Sequence, residues 1–268
     1  MQKIKICSLY SGSKGNSVFI EAGGAKILID AGKSARTLCA SLRSIGVDVD
    51  ELDAILITHE HNDHVSALRT LSHKHNIPIH ILLRSAQVFN GLCDEKLCLC
   101  LALHDKSDFS LRINDLTIQA FPTPHDSRAS VGYKLTTNED GEEISIAYAT
   151  DTGYVSEPML KNMLGAKYAV IECNHDLDML RDGPYPFDLK ARIASTHGHL
   201  SNEDCAILAS HLAQNGAKAI MLAHLSEENN LPDLALCEVR GAVADDKVKI
   251  AIASQYEPTW LVGKEYGD

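Results

Sequence analysis

The chain has 268 residues, 45% of them hydrophobic and 23% charged, and a formal net charge of −11 at pH 7. That acidity excludes nonspecific, whole-surface binding to nucleic acid, though not nucleic acid held locally at a site. No apolar run reaches the ~20 residues of a membrane helix, and the alternating start Met1-Gln2-Lys3-Ile4-Lys5-Ile6 lacks the apolar segment of a signal peptide, so a cytoplasmic protein free of the membrane is expected. Eight cysteines are scattered without a Cys-x-x-Cys pair, and the group Cys93, Cys98 and Cys100 lacks metal-knuckle spacing. Reduced, mostly buried thiols are predicted. Neither a linker nor an internal repeat is visible, so residues 1–268 read as a single α/β domain; nothing points to a particular oligomeric state.

Strands are predicted at Ile4–Leu9 and Ser17–Glu21, joined by Ser11-Gly12-Ser13-Lys14-Gly15-Asn16. This loop reads either as a tight turn or as an anion cradle, with Ser13 and Asn16 as candidate substrate contacts. A third strand, Ala25–Ile29, ends at Asp30, which is expected to brace nearby backbone or a ligating histidine. A helix over Ser34–Ile45 follows. The apolar run Asp53–Ile57 then meets Thr58-His59-Glu60-His61-Asn62-Asp63-His64, after which a helical pattern begins. In an extended segment alternate residues share a face, so His59 and His61 can grip one ion together. Asp63 and His64 enter the helix, point elsewhere and suit a second ion. Imidazole nitrogen with carboxylate oxygen is a donor set for zinc, manganese or iron.

His73 and His75 read as cap and surface residues, His80 as flanking the strand Ile79–Leu83, and His104 as lacking a partner. A helix is expected from Ser85, while 93–101 resists assignment. Strands are predicted at Phe109–Ile113, Leu116–Phe121, Val131–Thr136, Ile144–Ala149, Ala169–Glu172, Ala219–Ala223, Val248–Ala253 and Thr259–Val262. Helices are predicted at 156–164, from a capping box at Ser201 and Asp204 to near Gly216, and at Leu231–Val243. Residues 177–195 are mixed, with a local positive excess from Arg181, Lys190 and Arg192. Arg181 and Lys190 read as phosphate contacts or as a solvated face. His175 either orients a ligand or phosphate or simply closes its strand.

His59, His125, Asp151 and His224 each follow a run that reads as a buried strand, where the active sites of α/β sheets are built. With the cluster at 59–64 they make seven potential ligands, enough for two divalent ions sharing one carboxylate.

The pattern His59-x-His61-x-Asp63-His64, then His125, Asp151 and His224, resembles the signature of the metallo-β-lactamase-fold hydrolases. The resemblance implies a four-layer αββα sandwich. It assigns His59, His61 and His125 to one metal and Asp63, His64 and His224 to the other, with Asp151 bridging. Ser11-Gly12-Ser13-x-Gly15-Asn16, Ala149-Thr150-Asp151-Thr152-Gly153, Glu172-x-Asn174-His175-Asp176 and Gly198-His199-Leu200-Ser201 are similar to the bacterial WalJ (YycJ) group, regarded as DNA exonucleases acting from the 5′ end. The implied reaction is phosphodiester hydrolysis of nucleic acid, DNA in the first place, by a metal-bridging hydroxide. Asp63 would orient the hydroxide or accept its proton, and His199 would act at the leaving oxygen. The rival is a small-molecule phosphodiesterase, or another ester or thioester hydrolase, on the same centre. A non-catalytic metal module fits less well, because structural sites are closed and four-coordinate.

Overall fold

The computed structural model describes residues 4–89 and 94–263. The first half of the chain runs β1 (Lys5–Tyr10), β2 (Ser17–Ala22), β3 (Ala25–Ile29), α1 (Ala35–Ser44), β4 (Ala54–Leu56), α2 (Asn62–Val65), α3 (Leu68–His75), β5 (Ile79–Leu82), α4 (Leu83–Ala86), α5 (Glu95–Cys100) and β6 (Leu101–His104). The second runs β7 (Ser110–Ile113), β8 (Leu116–Pro122), β9 (Val131–Glu139), β10 (Glu142–Ala149), α6 (Glu157–Met163), β11 (Tyr168–Glu172), α7 (Leu177–Asp182), α8 (Phe187–Ile193), α9 (Asn202–Gln214), β12 (Ala219–Ala223), α10 (Pro232–Ala242), β13 (Lys249–Ile252) and β14 (Thr259–Val262). The strands form two sheets, in the orders β14-β1-β2-β3-β4-β5-β6 and β13-β12-β11-β10-β9-β8-β7. Both share one plan, antiparallel at one side and parallel from β3 through β6 and from β10 through β13.

Side-chain alternation sorts the layers. In β3, Ile27 and Ile29 face the other sheet with Ile20, Leu56, Ile118, Tyr133, Ile146 and Met221, whereas Leu28 faces out with Phe19 and Ile55 onto Leu38 and Leu42 of α1 and Leu68 and Leu71 of α3. On the far side, Ile171, Ile220 and Leu222 pack against α6, α9 and α10 through Met159, Leu208, Leu212 and Val239. Four layers, αββα, result as the resemblance implied.

Most expected elements hold to within a few residues. Several readings change. The helix expected from Ser85 begins at Leu83 and lasts one turn, and in the described part of 93–101, residues 94–101, α5 leads into edge strand β6. Residues 177–195 hold two short helices, α7 and α8. Cys98 is disulfide-bonded, against the expected reduced thiols, and Cys93 lies outside the described residues. The capping box at α9 is half formed: Ser201 accepts from the Asp204 amide at 3.1 Å, but its hydroxyl, 3.2 Å away, meets the Asp204 carboxylate. His104 does have partners, stacking on Phe109 at 3.7 Å between centroids and lying 3.0 Å from His80.

Loops from successive strands are stitched together at one rim. Asn16 donates its amide N–H to the Asp63 carbonyl at 2.8 Å, Gly32 to Asn16 at 3.0 Å and Ala31 to His64 at 2.8 Å. The junction works only because position 32 lacks a side chain: a Cβ there would lie 1.9 Å from the Asp63 carbonyl oxygen. By contrast Gly46 ends α1 in a Schellman turn at φ +78, with nothing near its would-be Cβ. Gly32→Ala should therefore cost about 3 kcal/mol or more through overpacking, and Gly46→Ala only about 1–2 kcal/mol through left-handed backbone strain. Urea denaturation measures both; equal losses would remove the stitched junction as a constraint.

Candidate metal centre

Side chains from both sheets converge where the stitched loops meet. Asp30 follows β3, the segment 58–64 follows β4, His125 follows β8, Asp151 follows β10, Glu172 ends β11 and His224 follows β12. Asp30, Asp151 and His224 hold φ of 63, 58 and 58. Such left-handed backbone is unusual for residues other than glycine, and here it turns each side chain off the strand toward one point.

Two triads of donor atoms emerge, His59 with His61 and His125, and Asp63 with His64 and His224. Asp151 stands between them, one oxygen 3.4 Å from His64 Nε2 and the other 3.6 Å from His224 Nε2 and 3.8 Å from His125 Nε2. These separations are long for hydrogen bonds. They match donors sharing an ion: with bonds of about 2.0–2.2 Å in tetrahedral geometry, donors sit roughly 3.3–3.6 Å apart. His125 Nε2, His224 Nε2 and Asp151 Oδ2 are buried and have no hydrogen-bond partner. Buried polar atoms without partners are costly, so donors aimed at a common point fit divalent ions.

Four of the five imidazoles in the triads are held at Nδ1, whereas His61 Nδ1 lies 3.0 Å from His59 Nε2. His64 Nδ1 donates to Asp30 Oδ2 at 2.8 Å, His224 Nδ1 to Glu172 Oε1 at 2.9 Å and His125 Nδ1 to the Gly198 carbonyl at 3.1 Å. His59 Nδ1 lies 3.0 Å from the Thr58 hydroxyl, which donates to Asp30. Asp30 thus braces both backbone and ligand, since it also accepts from the Thr58 amide at 2.8 Å. Holding Nδ1 this way fixes the tautomer and leaves Nε2 free for a cation.

The field in the site is strongly negative. Burial alone would lower the pKa of His224, but Asp151, Asp63 and Glu172 outweigh it and raise it to about 10. His64 is raised in the same sense: burial opposes, while Asp30, Asp151 and Asp63 prevail. Carboxylates that pull protons this hard would equally favour a divalent cation at the same nitrogens. His59 and His125 go the other way, lowered by burial first, with neighbouring imidazoles adding to the effect in His59.

Glu172, to which the sequence pattern assigns no role, is central. Fully buried, it accepts from His199 Nδ1 at 2.7 Å, from His224 Nδ1 and from the amides of Thr152 and Leu200 at 2.8 and 3.2 Å. Burial tends to raise its pKa, yet the two imidazoles hold it well below the usual carboxylate range. His199 borders a cavity of about 190 Å³ that Ser13, Asn174, Tyr185, Arg192 and Ser226 also line. Its own pKa is pulled down by burial but raised overall by Glu172.

The expected substrate contacts divide. Ser13 lines the cavity. Asn16 is buried, its Nδ2 donating to Asp63 Oδ2 and the Gly12 carbonyl, both at 3.1 Å. It positions Asp63 instead of facing substrate. The Gly12, Gly15 and Asn16 amides are all bonded within the rim, so these three are closed to an anion. His175 is 1% exposed, too buried for substrate, and pairs as a bridge with Ser201. Arg181 does not line the cavity: Asp178 and Asp182 neutralise it at 2.6 and 2.8 Å. Lys190 donates to the Arg181 carbonyl at 2.7 Å. Arg192 reaches the mouth in its place, paired with Asp126.

Residues 25–225 match the family model described as the beta-lactamase superfamily domain. The chain is 34% identical over 235 residues to exodeoxyribonuclease YycJ of Bacillus anthracis, covering 86% of each. It is 36% identical over 235 residues to exodeoxyribonuclease WalJ of Streptococcus pneumoniae, covering 86% of this chain and 85% of that one. The metallo-beta-lactamase fold protein YhfI from Bacillus subtilis superposes with a TM-score of 0.74 at 19% identity, covering 97% of this chain and 100% of that one. The fold is the same.

Removing the Asp30 carboxylate should loosen His64 and the Thr58 turn together. Asp30→Ala is expected to weaken divalent-ion affinity by about 10–100-fold, read by competition with a chelator. Unchanged affinity would show that the Asp30–His64 pair does not position a ligand.

Proposed function

Because the chain belongs to the β-lactamase superfamily and is a metal-dependent hydrolase of the metallo-β-lactamase fold, we propose that it is a dinuclear-metal deoxyribonuclease working from strand ends. The observation that carries the reading is the pair of donor triads with Asp151 between them, set beside the Glu172–His199 pair at a cavity. The likeness to YycJ and WalJ supports DNA as the substrate and an exonucleolytic mode. Zinc, manganese and iron all suit the donor set.

His59, His61 and His125 would hold one ion, and Asp63, His64 and His224 the other, with Asp151 shared. Bound divalent ions supply Lewis acidity, neutralising phosphodiester charge and acidifying water. The chain's own groups do the rest. Asp63 has a side chain 23% exposed and an oxygen fixed by Asn16, so it can orient the attacking water and take its proton. Glu172 occupies His199 Nδ1, which leaves Nε2 as the nitrogen available to the cavity. Glu172 raises the proton affinity of His199, which suits this imidazole to protonate the departing oxygen. Glu172 also fixes His224, so one buried carboxylate sets a ligand and the proton donor in register.

Asp151→Ala should abolish cleavage of end-labelled single- and double-stranded DNA by the manganese- or zinc-loaded protein. Hydrolysis of a bis-aryl phosphate without any DNA cleavage by the unmodified chain would sink the nuclease reading in favour of a small-phosphodiester hydrolase. His199→Ala should lower kcat by about 10²–10⁴-fold while the bound-metal count stays the same. Loss of metal in that variant would make His199 a ligand instead of a proton donor.

A further inference from the structure

Lys33 is built into an unusual position. It holds φ 59, a left-handed backbone that lysine adopts at a cost. Its ammonium sits 4.5 Å from the ring centroid of Tyr10 and 5.7 Å from that of Tyr256, and donates to the Gln255 carbonyl at 2.7 Å. Gly15 makes room for it, since a Cβ at 15 would come within 2.3 Å of Lys33 Cγ. Among the described residues no carboxylate pairs with Lys33, whereas Lys14 beside it is tied to Glu227 at 2.6 Å. Lys33 is thus a cation on strained backbone that no carboxylate contacts directly, with Glu227, already tied to Lys14, acting on it only through space.

Tyr256 is 71% exposed, an uncommon state for a ring whose hydroxyl is fixed, here to Glu227 Oε1 at 2.8 Å. Its amide is held too, by the Ser254 hydroxyl at 3.2 Å, and the Ser254 carbonyl accepts from the Ser11 amide at 3.0 Å. Ser11 in turn accepts from the His224 amide at 2.8 Å. The Tyr256 backbone is thus linked through Ser254 and Ser11 to the backbone of His224, a candidate ligand. The loop 12–15 separates two spaces: Ser13 faces the His199 cavity, while Gly12, Lys14 and Gly15 line a niche with Lys33 and Tyr256. Tyr256 also borders a second cavity of about 590 Å³, walled by Leu225, Leu231, Pro232 and Ile252, and Ser226 lines both this cavity and that of His199.

We propose that Tyr256 and Lys33 form a subsite for an unpaired nucleotide of the substrate strand, one loop's width from the scissile phosphate. The ring stacks a base and the ammonium meets a backbone phosphate. This combination of an aromatic platform and a backbone-tracking cation binds single strands without sequence preference, because every base offers a π-face. The proposal rests on the nuclease reading. It also accounts for how an acidic chain admits DNA: the mouth cation Arg192 is spent on Asp126, whereas no carboxylate contacts Lys33 directly among the described residues.

The test is a length series of single-stranded oligodeoxynucleotides, from two to eight nucleotides, cut by the metal-loaded full chain. The unmodified protein should show a step of at least about fivefold in kcat/KM once the strand is long enough to reach Tyr256. Tyr256→Leu should remove the step through KM, and Tyr256→Phe should keep it, since stacking survives and only the hydroxyl is lost. Lys33→Met should lower the slope of log(kcat/KM) against log salt by about 0.7, the value for one phosphate on a single strand. If DNA is cut but the step persists in Tyr256→Leu, or the salt slope is unchanged in Lys33→Met, the subsite is overturned and the nuclease reading stands. If the unmodified chain cuts no DNA of any length, the nuclease reading itself falls.

Discussion

Buried negative charge is the constraint on which this structure turns. Asp30, Asp151 and Glu172 are 0–2% exposed, and each sits at the end of a strand in the middle of a sheet. Moving a lone carboxylate out of water costs several kcal/mol even after relaxation. The chain meets that cost with imidazoles, each carboxylate facing at least one histidine and usually a backbone amide as well. A field so one-sided still favours more positive charge at the Nε2 atoms than the histidines themselves supply. Affinity for divalent ions follows from this imbalance as much as from the identity of the donors.

The need to bring these groups together explains the two-sheet plan. His59, His61 and His64 belong to the first sheet, and His125, Asp151, Glu172 and His224 to the second. Relative displacement of the sheets would open the donor set, so the apolar contact of Ile27, Ile29 and Leu56 with Tyr133, Ile146 and Met221 is also what spaces the ligands. Tyr133 makes the link explicit: its ring lies in that core and its hydroxyl donates to the Ile57 carbonyl at 2.6 Å, two residues before His59. Parallel strands end at the same rim in both sheets, which is why carboxylates and histidines from distant segments arrive on one side. The left-handed backbone at Asp30, Asp151 and His224 is local strain that the packed sheets hold in place.

Much of this was legible in the sequence, for a physical reason. A histidine or aspartate directly after an apolar run marks a strand end, and His59, His125, Asp151 and His224 all announce themselves that way. Glu172 did not, because it is the last residue of its strand and reads as the point where the apolar run stops. The signal was present nonetheless: a charge closing Tyr168–Ile171 has no water to reach if the next residue, Cys173, is apolar and buried. Charge pairing was the harder matter. Arg181 and Arg192 look alike in a linear chain, and only the folded helices show that Asp178 and Asp182 neutralise the first while the second reaches the mouth. Asn16 misled in the same way, since a polar residue in a glycine loop can face solvent or brace its neighbours, and the choice depends on a loop more than forty residues away.

The net charge of −11 then acquires a spatial meaning. Long-range attraction cannot draw a polyanion to such a surface, and screening limits any effect to about 8–10 Å at physiological salt. Under the proposed function, capture would come from within that distance, from divalent ions held by the donor set and from cations that no carboxylate contacts directly. Acidity elsewhere repels nonproductive contacts along a duplex without weakening a strand end already at the mouth. An enzyme that engages ends gains from this arrangement, because its local cations meet few phosphates at once and release the shortened strand readily. Charge that argues against general nucleic-acid binding is in that sense compatible with end-directed hydrolysis.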